Sequence, residues 1–171
     1  MRRDVPEQIG DALWRVDAAG VPHGPVEVCG VDYRAGDFAS LIIGDRGASD
    51  GELVVLCASY SGDDEGAIEC FDRASGRTRV AICTAGALAA RAREEGVPVI
   101  GVPAGFEDPK EAVVYYVVAA VMIAAPHLKA ELEGAAAKLA LLEEGGSFEP
   151  ETPADRVFAI PWIEDLGTPE P

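Results

Sequence analysis

Short apolar runs alternate with segments of helical periodicity through most of the chain. The apolar runs are residues 26–31, 53–58, 79–83 and 97–102. Segments of about ten residues with helical spacing of apolar side chains follow the later runs. This alternation is typical of parallel strands joined by crossover helices that cover both faces of a sheet. We therefore predict an α/β fold, a doubly wound parallel sheet of four to five strands flanked by helices, with right-handed crossovers.

Six segments are predicted to be helical. They are residues 6–18, 37–44, 65–74, 88–95, 110–125 and 128–144. The first is amphipathic and ends near Gly20 and Pro22. The segment 110–125 is apolar on nearly every face, as expected of a helix buried against the sheet or against a partner subunit.

One junction between a strand and a helix is suited to binding an anion. The apolar run 53–58 is followed by Ser59, Ser61 and Gly62, and acidic residues then begin a helical pattern. A helix N-terminus presents unpaired N–H groups and the positive end of the helix dipole, and hydroxyl groups beside it suit a phosphate. The alternative is an ordinary helix cap with acidic residues in the first turn. Because parallel strands end at one edge, we expect any ligand there, beside the loops near residues 30, 60 and 84.

Several motifs, in sequence order, resemble those of sugar isomerase (SIS) domains. Residues 58–65 are similar to the S-x-S-G-x-T-x-E loop of that family, and residues 81–87 are similar to its next strand and T-S-G-G loop. Residues 88–106 resemble the helix, strand and P-x-G-F segment of one subgroup, the bifunctional phosphoglucose/phosphomannose isomerases. Residues 6–16 are similar to the amino-terminal helix of its actinobacterial members, so the resemblance extends, with gaps, over residues 5–145.

The resemblance implies a single SIS-type domain over residues 1–145, flavodoxin-like and three-layered, which matches the amino-terminal half of those isomerases. Residues 146–171 are expected to form an acidic, Gly/Pro-rich tail that docks through the apolar patch 157–163. SIS domains of the family pair through helices flanking the sheet. Since the run 112–125 is too apolar to be left in water, we expect a homodimer that covers it.

The ligand-binding residues that the resemblance implies lie in the loops at the same sheet edge. They are Gly30, Arg34, Ser59, Ser61, Gly62, Thr84, Gly86 and Lys110. No residue is assigned as catalytic, and Glu65 and Lys110 are the candidates. Glu65 matches an acidic position of the family loop, and Lys110 stands where the family has an arginine that assists catalysis. The alternative role of Glu65 is to neutralise the helix dipole.

The same loops depart from the family pattern in ways that oppose its chemistry. Residues 30–34 lack the small residues of the family's G-M-G-G-S loop, Asp63 and Asp64 replace N-T, and Ala85 replaces a serine. Residues 44–53 are too few to hold the edge strand and return loop of the family, unless residues 40–44 are that strand. The family's second SIS domain, which supplies a glutamate base and a ring-opening histidine, has no counterpart in the sequence.

These departures favour an SIS-like domain with a degenerate phosphosugar site, a non-catalytic module for binding or assembly. The alternative is a phosphosugar isomerase acting on glucose 6-phosphate or mannose 6-phosphate, or a phosphosugar-binding protein, completed by a dimer partner. An active chain would be a sugar-phosphate aldose-ketose isomerase. We expect no cofactor, and the expected partners are a sugar phosphate and a second copy of the chain.

Charge and hydropathy argue against several other classes of protein. The chain carries 30 acidic and 14 basic residues, a net charge of −16, which repels nucleic acid and anionic membrane surfaces. The apolar run 112–125 is too short to span a bilayer, and the first residues lack the hydrophobic stretch of a signal peptide. We therefore expect a cytoplasmic protein.

The cysteines and histidines do not form a recognisable ligand set. The four cysteines, Cys29, Cys57, Cys70 and Cys83, show no C-x-x-C spacing, and three of them lie in apolar runs. Cysteine in such runs usually acts as a small apolar side chain. His23 and His127 are isolated in the sequence, so we assign no metal site.

Overall fold

The computed structural model describes residues 5–30 and 34–159 of the chain. Its four strands are β1 (Val26–Gly30), β2 (Val54–Ala58), β3 (Thr78–Cys83) and β4 (Val99–Gly101). They are parallel and lie in the order β1-β2-β3-β4. The predicted α/β class is confirmed, with four strands in the part of the chain described.

Seven α-helices surround this sheet in the same part of the chain. They are α1 (Val5–Ala19), α2 (Ala35–Ile43), α3 (Glu65–Arg73), α4 (Gly86–Glu94), α5 (Val113–Ala124), α6 (Lys129–Glu143) and α7 (Pro153–Ala159). The first six coincide with the predicted helical segments to within a few residues. The fifth differs most, because residues Pro109–Ala112 form a 3-10 turn before α5 begins.

The sheet separates two apolar cores, and alternate residues of each strand face opposite sides, as the pleat requires. Val54 and Leu56 of β2 face the larger core, which α1, α2, α5, α6 and α7 complete. Val55 and Cys57 face a smaller core formed with α3 and α4. Helices on both faces make the arrangement doubly wound.

Helix α5 is the centre of the larger core. All of its residues are buried, and α1 and α2 both pack against it. The apolar surface that suggested a homodimer is therefore covered within the chain itself. Residues 112–125 therefore give no reason to expect pairing, because a helix that is apolar on every face is here enclosed by other helices of the same domain.

The connection through α2 differs in hand from the other two strand connections. The chain always steps in the same direction across the sheet, yet α3 and α4 lie on one face and α2 on the other. Two connections that move one strand in the same direction, but pass over opposite faces of the sheet, have opposite handedness. The prediction that all crossovers are right-handed is therefore wrong for the three connections described. A further strand beyond β1 would remove the difference, since the chain would then step outward through α2 before returning.

Within the described residues, no strand lies between α2 and β2, in agreement with the first of the two alternatives predicted. Residues 40–43 belong to α2, so the alternative that they form the strand is wrong. A single 3-10 turn (Gly44–Arg46) and an extended loop lead from α2 to β2. The shortened loop returns directly to β2, which leaves β1 at the edge of the sheet.

The segment after residue 146 contributes a helix to the larger core. Ala154, Val157 and Phe158 of α7 are buried there, and α7 packs against α2 and α6. Residues 160–163 of the apolar patch predicted to dock lie outside the described residues.

Two cysteines are joined by a disulfide bond, contrary to the prediction that Cys29, like the other cysteines in apolar runs, acts as a small apolar side chain. The bond connects Cys29 of β1 to Cys70 of α3, with 6.5 Å between their Cα atoms. Cys57 and Cys83 are buried free thiols, and burial raises the pKa of Cys57 to about 12 and that of Cys83 to about 11. The pairing escaped sequence analysis because residues 41 positions apart become neighbours only when α3 packs on the sheet.

None of the helices in the described ranges combines the length and the apolar character needed to cross a membrane.

Candidate functional site

The loops that follow β2 and β3 contact each other at the edge where the strands end. The N–H of Thr84 donates to the carbonyl of Tyr60 at 2.9 Å, and the N–H of Leu88 donates to the carbonyl of Gly62 at 2.8 Å. The loop residues Ser59, Ser61, Gly62, Thr84 and Gly86 are thereby brought together, as the sequence predicted for a ligand edge.

Two glycines make this close approach of the loops feasible. Gly62 has a φ of 84°, and a Cβ atom there would lie 1.7 Å from the carbonyl oxygen of Ala85. Gly86 has a φ of 80°, and a Cβ atom there would lie 2.7 Å from the carbonyl oxygen of Ser61. Both positions therefore require glycine, for backbone packing as well as for conformation.

The two serine hydroxyls of the β2 loop stabilise the loop itself. Ser59 is buried, and its Oγ accepts the N–H of Gly62 at 3.0 Å. Ser61 is exposed, and its Oγ accepts the N–H of Asp63 at 3.1 Å. Each hydroxyl still has a proton to donate. Only Ser61 presents that proton at the surface.

Two carboxylates accept N–H groups at the starts of α3 and α4. Asp64 is the N-cap of α3, and its Oδ1 accepts the N–H of Ala67 at 2.9 Å. Asp63 reaches across to the neighbouring loop, where its Oδ1 accepts the N–H of Ala87 at 2.9 Å. Ala85, the N-cap residue of α4, has no side-chain oxygen to make that bond. The chain's own carboxylates thus occupy donors at both helix starts.

The loop after β4 joins the same edge through aromatic residues that sequence analysis missed. The N–H of Phe106 donates to the hydroxyl of Tyr60 at 3.0 Å, and the two ring centroids are 6.0 Å apart. Lys110 lies in the following 3-10 turn, where its N–H donates to Oδ1 of Asp108 at 3.0 Å. The sequence feature that could have identified Tyr60 as part of this edge is its position directly after Ser59 in the loop.

The loop after β1 is described at its two ends. Gly30 lies against the end of β2, since a Cβ atom there would be 2.3 Å from the carbonyl oxygen of Ala58. Arg34 has a φ of 71°, which is uncommon outside glycine, and its guanidinium carbon lies 5.9 Å from the ring centroid of Phe38. Residues 31–33 lie outside the described residues.

Both histidines of the chain are remote from this edge. His23 precedes β1 and its Nδ1 lies 3.2 Å from the carbonyl oxygen of Met122, near the end of α5. His127 lies in the 3-10 turn Pro126–Leu128 that follows α5. Glu65, the candidate base, is exposed in the first turn of α3. The edge therefore offers carboxylates, hydroxyls and Lys110, without an imidazole.

No model of a known protein family matches the chain, and no curated protein matches it. The solved structures that are similar to it in fold include three proteins that act on, or are described by, sugar phosphates in their names. A proposed phosphosugar isomerase from Bacillus subtilis is 16% identical, with a TM-score of 0.49, over 82% of this chain and 52% of the other. Tagatose-6-phosphate ketose/aldose isomerase from Escherichia coli is 14% identical, with a TM-score of 0.45, over 81% and 46%.

The third is the C-terminal domain of glucosamine-fructose-6-phosphate aminotransferase from Francisella tularensis, 17% identical, with a TM-score of 0.43, over 82% of this chain and 53% of the other. The chain thus spans about half the length of the solved proteins that it matches. Similarity at this level concerns the fold and assigns neither a ligand nor a reaction to this chain.

Proposed function

We propose that this chain is an SIS-like module that does not turn over sugar phosphates and serves for binding or assembly. The observation that carries the proposal is the double cap formed by Asp63 and Asp64. Both carboxylates accept N–H groups at helix starts, so a phosphate at this edge would lose those donors. It would also face two negative charges within roughly 4 to 6 Å, which disfavours a further anion.

The acidic residues at the edge also lack the arrangement that isomerisation needs. A base must lie about 3 Å from the proton that it removes, and an acid must open the sugar ring. Asp63, Asp64 and Asp108 each accept a backbone N–H at the start of a helix or turn. Glu65 and Glu107 remain as exposed candidates, and both histidines lie at the far end of the strands.

Calorimetry with fructose 6-phosphate tests the binding part of the proposal. The double variant Asp63→Asn, Asp64→Thr keeps a side-chain oxygen for each N–H group and removes both charges. We expect weak binding by the unmodified chain and an affinity at least about tenfold higher in the variant, a difference of about 1.4 kcal/mol.

A matched control is the double variant Asp45→Asn, Asp50→Asn. These exposed residues precede β2, at the opposite end of the strands, and they change the net charge by the same amount. Their replacement should leave the affinity unchanged. Tight binding by the unmodified chain, or equal gains in both double variants, would contradict the proposal.

A coupled assay of glucose 6-phosphate to fructose 6-phosphate conversion tests catalysis separately. We expect no conversion above background. Activity that disappears in Glu65→Gln would instead support the second candidate, a phosphosugar isomerase completed by a dimer partner. Light scattering on the same sample measures the oligomeric state. The homodimer stays a prediction, and the buried helix α5 gives no support for it.

A further inference from the structure

Three cysteine sulfurs converge in the smaller core, away from the loop edge. Cys29 and Cys57 are direct neighbours in the register of β1 and β2, and their Sγ atoms are 3.7 Å apart. Cys70 reaches the same place from α3. All three Sγ atoms lie within 4.8 Å of one another.

We propose that these three cysteines bind one Cu(I) ion when the bond between Cys29 and Cys70 is reduced. Thiolate ligands favour soft cations such as Cu(I). A metal–sulfur bond of about 2.3 Å places two ligand sulfurs about 4 Å apart, close to the 3.7 Å between the Sγ atoms of Cys29 and Cys57. The sulfurs of Cys29 and Cys70 are bonded to each other in the oxidised chain and move apart once that bond is reduced. Within the described residues, no fourth His, Cys, Asp or Glu belongs to this cluster of three cysteines. A structural zinc site would need four protein ligands.

The surroundings of the three sulfurs give the ion a route and a balancing charge. Cys57 is fully buried, whereas Cys29 and Cys70 are only partly buried, so the cluster is open on one side. Arg79 of β3 points to the same face of the sheet, two residues before the register partner of Cys57. Its guanidinium is buried and acts electrostatically on Cys57. The guanidinium also forms an ion pair with Glu95, so only the remainder of its charge acts on the thiolates.

The disulfide and the copper site are alternative states of the same residues. A dithiol reductant transfers two electrons and two protons to the disulfide, which becomes two thiols while the dithiol becomes a disulfide. Cu(I) then replaces the protons of the three thiols, which are released to water, and forms three copper–sulfur bonds. Reducing compartments keep such thiols free, so the reduced state is the one relevant there.

The test uses the full chain, reduced without oxygen by dithiothreitol and then freed of reductant. Cu(I) is titrated against a chromophoric Cu(I) chelator as competitor. We expect one equivalent bound per reduced chain, none by the oxidised chain, and at least hundredfold weaker binding by Cys57→Ser. Cys83→Ser is the matched control, because Cys83 is also a buried strand thiol but lies outside the cluster. It should bind like the unmodified chain.

Circular dichroism of each reduced sample establishes that the fold is present. Where Cys57→Ser does not fold, Cys70→Ser, which replaces a partly buried helix residue, takes its place. X-ray absorption at the copper edge counts the bound sulfurs, and three are expected. Equal binding by Cys57→Ser and Cys83→Ser, a count of two sulfurs, or binding only after loss of the helical signal would overturn the proposal.

Discussion

Helices α4 and α7 both need a side-chain oxygen to accept an N–H group at their start, and they obtain it in different ways. The start of α7 is served by its own sequence, since Asp155 Oδ2 accepts the N–H of Thr152 while Thr152 Oγ1 accepts the N–H of Asp155. This is a capping box, and Pro153 is the first helical residue. The start of α4 has no local acceptor, and Asp63 of a different loop supplies one.

The contrast shows how a helix start can depend on local or on tertiary structure. The cap of α7 forms between residues three apart, whereas the cap of α4 lies between residues 24 apart. The second exists only because Gly62 and Gly86 let the two loops approach closely. Disturbing the loop contact should therefore affect α4 and leave α7 intact.

Of the variants that test this difference, Gly62→Ala is expected to lower the free energy of unfolding most. A Cβ atom would lie 1.7 Å from the carbonyl oxygen of Ala85, at a φ of 84°. The clash and the left-handed conformation together should lower the free energy of unfolding by about 2 to 4 kcal/mol. Urea denaturation measures the change.

Gly134→Ala in α6 is the control, because a Cβ atom there meets nothing within 4 Å. That change should raise the free energy of unfolding by up to about 1 kcal/mol. Hydrogen exchange should become faster at the start of α4 in Gly62→Ala, and unchanged exchange there would show that the loops do not depend on each other.

Asp155→Asn tests the local cap, with an expected loss of about 2 kcal/mol at pH 7. The buried Asp155 accepts from Lys138 Nζ at 2.6 Å and from the N–H groups of Glu151 and Thr152. Burial raises the pKa of Asp155, but these donors outweigh it and hold the pKa below the ordinary value of 3.8.

A carboxyl group whose pKa is lower in the folded state stabilises the folded chain at any pH above its ordinary, unfolded-state pKa. This stabilisation is lost as the pH falls through the folded-state pKa. The difference in unfolding free energy between the unmodified chain and Asp155→Asn should therefore shrink at acid pH. A difference that stays constant between pH 7 and pH 3 would mean that Asp155 does not titrate as inferred.

Asp63→Ala should have the smallest effect, a loss of about 1 kcal/mol, since it removes one capping bond from α4. Ala85→Ser adds a hydroxyl at the N-cap position of α4 and should restore much of that loss in the double variant. A double-mutant cycle measures the coupling between the two positions. Simple additivity would show that the two residues do not serve the same helix start.

Local patterns were sufficient for the four strands, for six of the seven helices of the described residues, and for the loops that meet at one edge of the sheet. The apolar runs predicted all four strands, and helical periodicity predicted the six helices from α1 to α6. The position of Ser59 to Gly62 between a strand and a helix placed this loop at the edge where the strands end, whereas ligand binding there stays a prediction. The pattern Thr152-Pro153-Ala154-Asp155 also contained the capping box of α7, although the segment was predicted to be a tail.

The sequence by itself determined the parallel α/β fold and which loops lie at the edge where the strands end, because these follow from periodicity and from residues close together in the chain. Only the tertiary structure decided that Asp63 caps α4, that α5 is covered within its own chain, and that the sulfurs of Cys29, Cys57 and Cys70 meet. Each of these depends on residues or elements far apart in sequence, and backbone packing alone brings them within reach of each other.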